Sequence, residues 1–293
     1  MEINDHYSKE IMTLPISVII LTYNEENNIE DCLNSLTGWI REIFIVDSYS
    51  TDRTLQIAEK YTDKIYQHHF ENYSRQRNWA LETLPIKTDW IMNIDADHRI
   101  TAELKNKLLG IFSDKIDEEI NGYIASRRTI FMGRWIHYGG HYPVYHAFLF
   151  RRGFGICENK LYDQHFLVKG RVEKIPCDII DIISDSITRF TERHNHWASL
   201  EASEQLISNT GNRSIVEPRI SGHEIEKRRY KREIYYKLPL FARAFLFFIY
   251  RYIFKLGFLD GKEGLIFHFL QGFWFRFLID AKLYEIKKQS IKK

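Results

Sequence analysis

The sequence predicts an α/β fold with a largely parallel sheet, followed by a helical C-terminal extension. Three observations predict it. Short, nearly all-apolar runs recur, and each stops at a polar cluster: Ile16–Leu21 at Thr22-Tyr23-Asn24-Glu25, Ile43–Val46 at Asp47, and Trp90–Met92 at Asn93-Ile94-Asp95-Ala96-Asp97. Helical spacing follows the first two runs, and strand–helix alternation builds βαβ units. Beyond residue 218 the alternation gives way to aromatic and basic residues at helical spacing.

Taken in order, the first run suits a strand buried on both faces, as parallel sheets require. Cys32, Leu33 and Leu36 then share one helix face. Glu42–Val46 is the second strand, and Leu55, Ile57, Ala58 and Tyr61 mark the helix after it. Trp90–Met92 opens a third strand, which ends at two carboxylates. Residues 113–121 read as a solvated helix end or loop. In open α/β sheets ligands bind beyond the carboxyl ends of the strands, and here three such ends are polar or acidic. Buried carboxylates are costly unless paired or metal-bound, and an all-oxygen set suits Mg²⁺ or Mn²⁺. Mg²⁺ commonly takes one or two carboxylates and leaves its other positions to phosphates. Asp95-Ala96-Asp97 therefore reads as a metal–diphosphate site, against the competing reading of a turn with solvated acids.

On Ile19-Ile20-Leu21-Thr22-Tyr23-Asn24-Glu25, Ile45-Val46-Asp47-Ser48-Tyr49-Ser50-Thr51-Asp52-Arg53-Thr54 and Asn93–Asp97, residues 15–112 resemble the nucleotide-sugar-binding half of a family 2 glycosyltransferase with the GT-A fold. Phe131–Trp135, Tyr162–Phe166, His194–Ala198 and Gly257–Gly261 resemble the subgroup that builds bacterial envelope polysaccharides, including lipopolysaccharide core; the likeness thins after Arg219. The resemblance implies an inverting, metal-dependent transfer from a nucleotide sugar, UDP-linked, to a lipid-linked saccharide at the cytoplasmic face of the inner membrane. It places the nucleoside at Thr22, Tyr23, Asn24 and Glu25, with Tyr23 on the base. Asp47 would accept from uracil, with helix capping near Thr51 as its other possible role. Of Arg75 and Arg77, one reaches the diphosphate, and Arg75 is assigned to it. Asp95 faces the ribose or the metal, and Asp97 holds the metal. The acceptor-activating base is Asp163; relatives carry a His-Glu pair where this chain has Asp163-Gln164, so Glu158 and His165 stay in contention. Trp135 and Gly139-Gly140-His141-Tyr142 lie where an acceptor would enter, a plain turn being the competing reading. His194, His196 and Glu201 are not a zinc set, because i and i+2 on a helix face apart.

Length allows one sizeable domain, 1–218, and an extension, 219–293. Net charge is +2, but residues 219–293 hold 17 Lys and Arg against 7 Asp and Glu, a net +10, leaving −8 on the rest. Three cysteines without a CxxC spacing read as free thiols in a reducing compartment. Met1–Met12 is polar and is no secretory signal. Within 238–258 the longest uncharged stretch is Ala244–Tyr250, far short of the ~18–20 apolar residues that a membrane span needs. Arg243, Arg251 and Lys255 share one side of that helix; Phe245, Phe248, Ile249, Tyr252 and Leu256 share the other. In 265–278 the polar residues His268, Gln271 and Arg276 again fall together. With the basic run 223–232, these read as helices lying in an anionic membrane surface, the competing reading being core helices with solvated basic residues. Nucleic acid is excluded as a partner, since the aromatics form apolar faces rather than standing in a charged groove. Two rival functions remain: nucleotidyl transfer, and a non-catalytic nucleotide-sugar-binding membrane protein.

Overall fold

The computed structural model describes residues 13–183, 186–209 and 224–291; Met1–Met12, the 218/219 boundary and His223 lie outside the described residues. The first half runs β1 (Leu14–Thr22), α1 (Ile29–Asn34), β2 (Ile40–Asp47), α2 (Thr54–Ala58), β3 (Ile65–Gln67), α3 (Tyr73–Thr83), β4 (Trp90–Asp95), β5 (His98–Ile100) and α4 (Ala102–Ser113). There follow β6 (Ile120–Phe131), β7 (Arg134–Trp135), β8 (Tyr145–Arg151), β9 (Gly155–Cys157), β10 (Phe166–Val168), β11 (Arg171–Ile182) and α5 (Ile187–Asn209).

Among the described residues, nine strands form one mixed sheet in the order β3-β2-β1-β4-β8-β6-β11-β5, with β7 beside β6. β1, β2, β3 and β4 are mutually parallel, as the apolar runs require. Every β1 residue from Ile16 to Thr22 is buried, and β4 is buried up to Asp95. One face packs Cys32, Leu33, Leu36, Leu104 and Leu108 from α1, its following turn and α4. The other packs Ala80 of α3, with Leu84 and Ile86 after it. β8 pairs only with Trp90–Met92 of β4, so the last residues of β4 run past it. The chain then crosses to the far edge, where β5 pairs antiparallel with β11 and places His98 opposite Asp181. This crossing carries Asp95-Ala96-Asp97 over the carboxyl ends of the central strands.

The C-terminal part is helical: α6 (Glu224–Lys237), α7 (Ala242–Ile249) running into a π-helical turn (Tyr250–Phe254), a 3₁₀ turn (Gly257–Asp260), then α8 (Gly261–Phe267), a π-helical segment (His268–Trp274) and α9 (Phe275–Ile291). Leu256 and Gly261 take positive φ where the chain reverses. α9 packs on α5 through Ala198, Ala202, Phe275, Ile279 and Leu283. Phe267 joins Phe131 and Phe190, tying the extension to the sheet. Among the described residues, no helix is long and apolar enough to cross a membrane.

The exposure of the basic side of this part is corrected, although Lys255 is exposed as expected. Arg243 and Arg251 are buried, not solvated. Arg243 forms a two-point ion pair with the fully buried Asp280. Arg251 donates to the Gly139 carbonyl at 2.7 Å. His268 is fully buried, and Gln271 and Arg276 are mostly so. The apolar side faces outward: Phe245, Leu246, Tyr250, Ile253, Phe254 (72% exposed) and Phe258, then Leu265, Ile266, Phe269 and Phe277. Ring contacts run unbroken from Tyr284 through Phe241, Phe277, Phe273, Phe248 and Tyr252 to Phe258. Trp274 is partly buried against the α5–α9 cluster.

Candidate functional site

A cavity of about 740 Å³ opens at the carboxyl ends of β1 and β4. Thr22, Tyr23, Arg77, Asp95 and Asp97 line one end, and Tyr162, Asp163, Trp197, Phe267 and Gln271 the other. The end of β1, the β4–β5 crossing, the loop before β10, α5 and the C-terminal helices thus meet at one space.

At the first end, Arg77 donates to Asp95 at 2.6 Å. Burial opposes the Asp95 charge, but Arg77 and its neighbours hold the carboxyl down at about 2. Asp97 has no such support. Burial, then the charges of Asp181, Asp95 and Glu25, push its carboxyl well above the usual range. Ligating atoms of Asp95, Asp97 and His98 lie within 4.8 Å of one another. His98 Nδ1, however, accepts the Asp95 N–H at 3.1 Å. A neutral imidazole with one nitrogen accepting carries its proton on the other, and burial keeps His98 neutral, with a pKa lowered to about 4. Its Nε2–H is therefore a donor aimed at the acids, not a metal ligand. What fits a divalent cation here is the carboxylate set, the oxygen chemistry that Mg²⁺ and Mn²⁺ take.

The other proposed residues divide. Tyr23 is exposed at the cavity mouth, and Thr22 sits in its wall with a hydroxyl lacking a hydrogen-bond partner. Asn24 has positive φ and clips the loops after β1 and β2 together, its N–H donating to Ser50 Oγ and its Oδ1 accepting from the Thr51 N–H. Glu25 lines the cavity, and its N–H donates to Thr54 Oγ1. Asp47 is fully buried, accepts from the Ser50 N–H and hydroxyl and from Gln67, and is not part of the cavity wall. It holds the turn after β2, while Asp52 accepts from the Thr54 N–H at the start of α2. Arg75 is a correction: it points to solvent, paired with Glu71, and Arg77 takes the cavity. Two positions apart on a helix lie about 200° apart, so only one of them faces the sheet.

At the second end Asp163 lines the cavity with a left-handed backbone, φ 55°. Its carboxylate accepts from Arg232 at 2.6 Å, with Arg229 at 3.5 Å. Burial opposes its charge, but His165, Arg232 and Arg229 hold the carboxyl well below the usual range. Glu158 is buried beneath it, bound to Arg229 at 2.7 Å, and His165 is buried too; neither reaches the cavity. Gly139 has positive φ, and its backbone also passes close to a side chain. That side chain is His268 of the extension, whose ring a Cβ at Gly139 would strike. Trp135 packs against Arg128 and Tyr142 and is not in the wall. His194 hydrogen-bonds the Phe190 carbonyl. Burial holds it neutral, near 4. His196 is exposed on the opposite side. Sequence reasoning missed Arg127, Asp181, His146 and Gln271 as wall residues. For Asp181 the signal existed, an acid set in the apolar run Ile179–Ile183.

Residues 17–165 match the pattern of "Glycosyl transferase family 2". A glycosyltransferase of Rickettsia bellii described as uncharacterized is 38% identical over 114 residues, covering 39% of this chain and 38% of that protein. A lipopolysaccharide core biosynthesis glycosyltransferase of Rhizobium meliloti is 34% identical over 128 residues, covering 42% and 46%. The chain thus spans about two fifths of the length of the curated relatives it matches. Among solved structures, a Pyrobaculum calidifontis mannosyltransferase in complex with GDP-Man and Mn²⁺ aligns over 93% of this chain and 87% of its own, at 13% identity and a TM-score of 0.48.

Proposed function

The chain belongs to glycosyl transferase family 2, and from that premise we propose that it moves a sugar from a nucleotide sugar, UDP-linked, to a lipid-linked saccharide of the bacterial envelope, with inversion. The observation that carries this reading is the pairing at the cavity floor: Asp95 locked by Arg77, beside an Asp97 that lines the same cavity with no Lys or Arg in ion-pair reach among the described residues. Such a site suits a divalent cation, with the open space beside it left for a diphosphate. A bound Mg²⁺ or Mn²⁺ would supply charge neutralisation on the departing nucleoside diphosphate.

The chain's own residues divide the rest of the work. Tyr23 stands at the mouth with its ring free to lie on a base, and Thr22 offers its hydroxyl beside it. Arg77 orients Asp95 and adds positive potential near the phosphates. Asp163 is the base for the acceptor hydroxyl, because of the three candidates it alone reaches the cavity. It is ionised at neutral pH, so it can accept a proton, and Arg229 and Arg232 fix its direction. Asp47 acts on the nucleoside through the turn it holds. The catalytic part extends to α5, and the C-terminal helices serve two faces: Phe267 and Gln271 wall the cavity, while the aromatic exterior rests on an anionic membrane surface at the cytoplasmic side of the inner membrane.

The test is a thermal-shift screen of nucleotide sugars with and without Mn²⁺, since a ligand that binds only the folded state raises its stability. A shift with UDP-sugars that requires Mn²⁺, with UDP released on turnover, is the expected result. Pyrophosphate released from a nucleoside triphosphate would favour nucleotidyl transfer, and UDP binding with no turnover on any glycolipid would favour a binding protein.

A further inference from the structure

We propose that Asp181 is a carboxylate ligand of the cation site, the partner of Asp97 in holding the metal. The proposal rests on the metal-dependent reading above.

Backbone register fixes the placement. β11 runs antiparallel to β5 with Asp181 opposite His98, and the Ile182 N–H donates to the Asp97 carbonyl at 3.0 Å. Asp181 is thereby pinned across from the loop that carries Asp97, and its side chain lines the same cavity.

The three acids there are not equivalent. Asp95 spends one oxygen on Arg77 at 2.6 Å, so its charge is met inside the protein. Among the described residues, Asp97 has no Lys or Arg within 4.0 Å, and its carboxylate accepts no hydrogen bond. Asp181 also accepts none; Arg127 stands 3.8 Å from its Oδ2, which leaves Oδ1 turned toward His98.

His98 supplies the independent observation. It is 2% exposed, and its proton-bearing Nε2 lies 3.8 Å from Asp95 Oδ2, 3.9 Å from Asp97 Oδ1 and 4.0 Å from Asp181 Oδ1. None of these is a hydrogen bond by length. The Nε2–H of a buried ring is thus aimed among three carboxylates and hydrogen-bonds to none of them. It cannot ligate the metal itself, because its other nitrogen already accepts from Asp95. Two under-compensated acids then remain beside the locked Asp95. Two carboxylates with phosphate oxygens completing the shell is the usual donor set of Mg²⁺. The His98 Nε2–H, 3.8–4.0 Å from all three acids, favours the ionised carboxylates that a cation needs.

The experiment measures Mn²⁺ affinity directly, by electron paramagnetic resonance of the free ion, in the presence of saturating UDP. Asp181→Asn is expected to weaken Mn²⁺ at least tenfold, and Asp181→His, which keeps a ligand atom, to weaken it less. Melting of the metal-free protein should stay level or rise, since one repelling charge is gone. If Asp97→Asn weakens Mn²⁺ and both Asp181 variants bind it as wild type does, the inference is overturned and Asp181 serves only Arg127. If neither Asp97→Asn nor Asp181→Asn changes Mn²⁺ affinity, the metal reading itself fails. Should Asp181→Asn not fold, Asp181→His decides alone: Mn²⁺ binding within a few-fold of wild type, together with a changed resonance spectrum of the bound ion, supports ligation, whereas an unchanged bound spectrum opposes it.

Discussion

The end of the sheet and the C-terminal helices both bury charge, but for opposite audiences. At the sheet, Asp97 and Asp181 line an open cavity, Asp97 with no Lys or Arg in ion-pair reach among the described residues and Asp181 with Arg127 alone, at 3.8 Å. In the helices, Arg243 and Asp280 turn toward each other, and the protein supplies the counter-charge in full. An uncompensated charge beside a space awaits a ligand, while a compensated one is structure. The same contrast inverts at the surface: the helices show their apolar side to the outside, where a bare aqueous exterior would favour the reverse.

The largest expected effect breaks the compensated pair. Asp280→Ala leaves Arg243 buried without its carboxylate, which should cost about 3–5 kcal/mol of stability. Urea unfolding reads it directly. A loss below about 1 kcal/mol would mean that Arg243 is hydrated in solution, and the inside-out polarity of the extension would have to be redrawn. Asp97→Ala probes the other kind of charge. Removing one electrostatic element of an active site commonly costs roughly 10²–10³ in turnover, and here it should do so with the melting temperature kept. An unaltered rate at millimolar Mn²⁺ would remove Asp97 from the metal site.

The comparison also explains what the sequence could reveal. β1, β2 and β4 were legible because strands buried on both faces leave a continuous apolar run, and a polar stop marks the ligand end. Asp95, Asp97 and Tyr23 follow from that stop. Arg75 against Arg77 was not legible, since the α3 register depends on the Asn72 cap, whose side chain accepts from the Arg75 N–H. For the helices, periodicity separates two sides without stating which of them faces the protein. Arg243 and Arg251 read as solvated because their partners, Asp280 and the Gly139 carbonyl, lie 37 and 112 residues away. For Asp181 the local signal, an acid within Ile179–Ile183, was present, but its place opposite His98 depends on pairing with β5, a contact that no local pattern encodes.

A smaller effect sharpens the comparison at the surface. Phe245, Phe254, Phe258 and Phe269 are exposed, so replacing all four with Ser should change stability little while releasing the protein from anionic liposomes in a flotation assay. High salt should weaken wild-type binding without ending it, because apolar burial at ~25 cal/mol per Å² is not screened. Trp274→Ser, by contrast, should destabilise the fold, since Trp274 packs against the α5–α9 cluster. A quadruple variant that floats like wild type would leave the aromatic exterior to another partner, such as a second copy of the chain.

The smallest effect concerns Asp163, where the two kinds of charge meet: it is compensated by Arg229 and Arg232, yet it faces the cavity. Its folded pKa is depressed below the ordinary aspartate value of 3.8. A depressed carboxyl contributes stability that is present above the unfolded value and is lost as pH falls through the folded one. The contribution of Asp163 should therefore be whole at neutral pH and fade only below about pH 4. Half-exposure to solvent keeps it modest. Asp163→Asn should lower stability slightly at pH 7, and the gap from wild type should close as the solution is acidified through that window. Donor binding should persist in Asp163→Asn while transfer is lost, because the amide keeps the shape but takes no proton. With so low a pKa the base stays ionised across the physiological range, so the acid limb of kcat should track unfolding rather than a titration near neutrality. If kcat instead fell with a pKa near 6 while the fold held, the base would be a different group, and Asp163 would belong with Asp280 among the charges that serve structure.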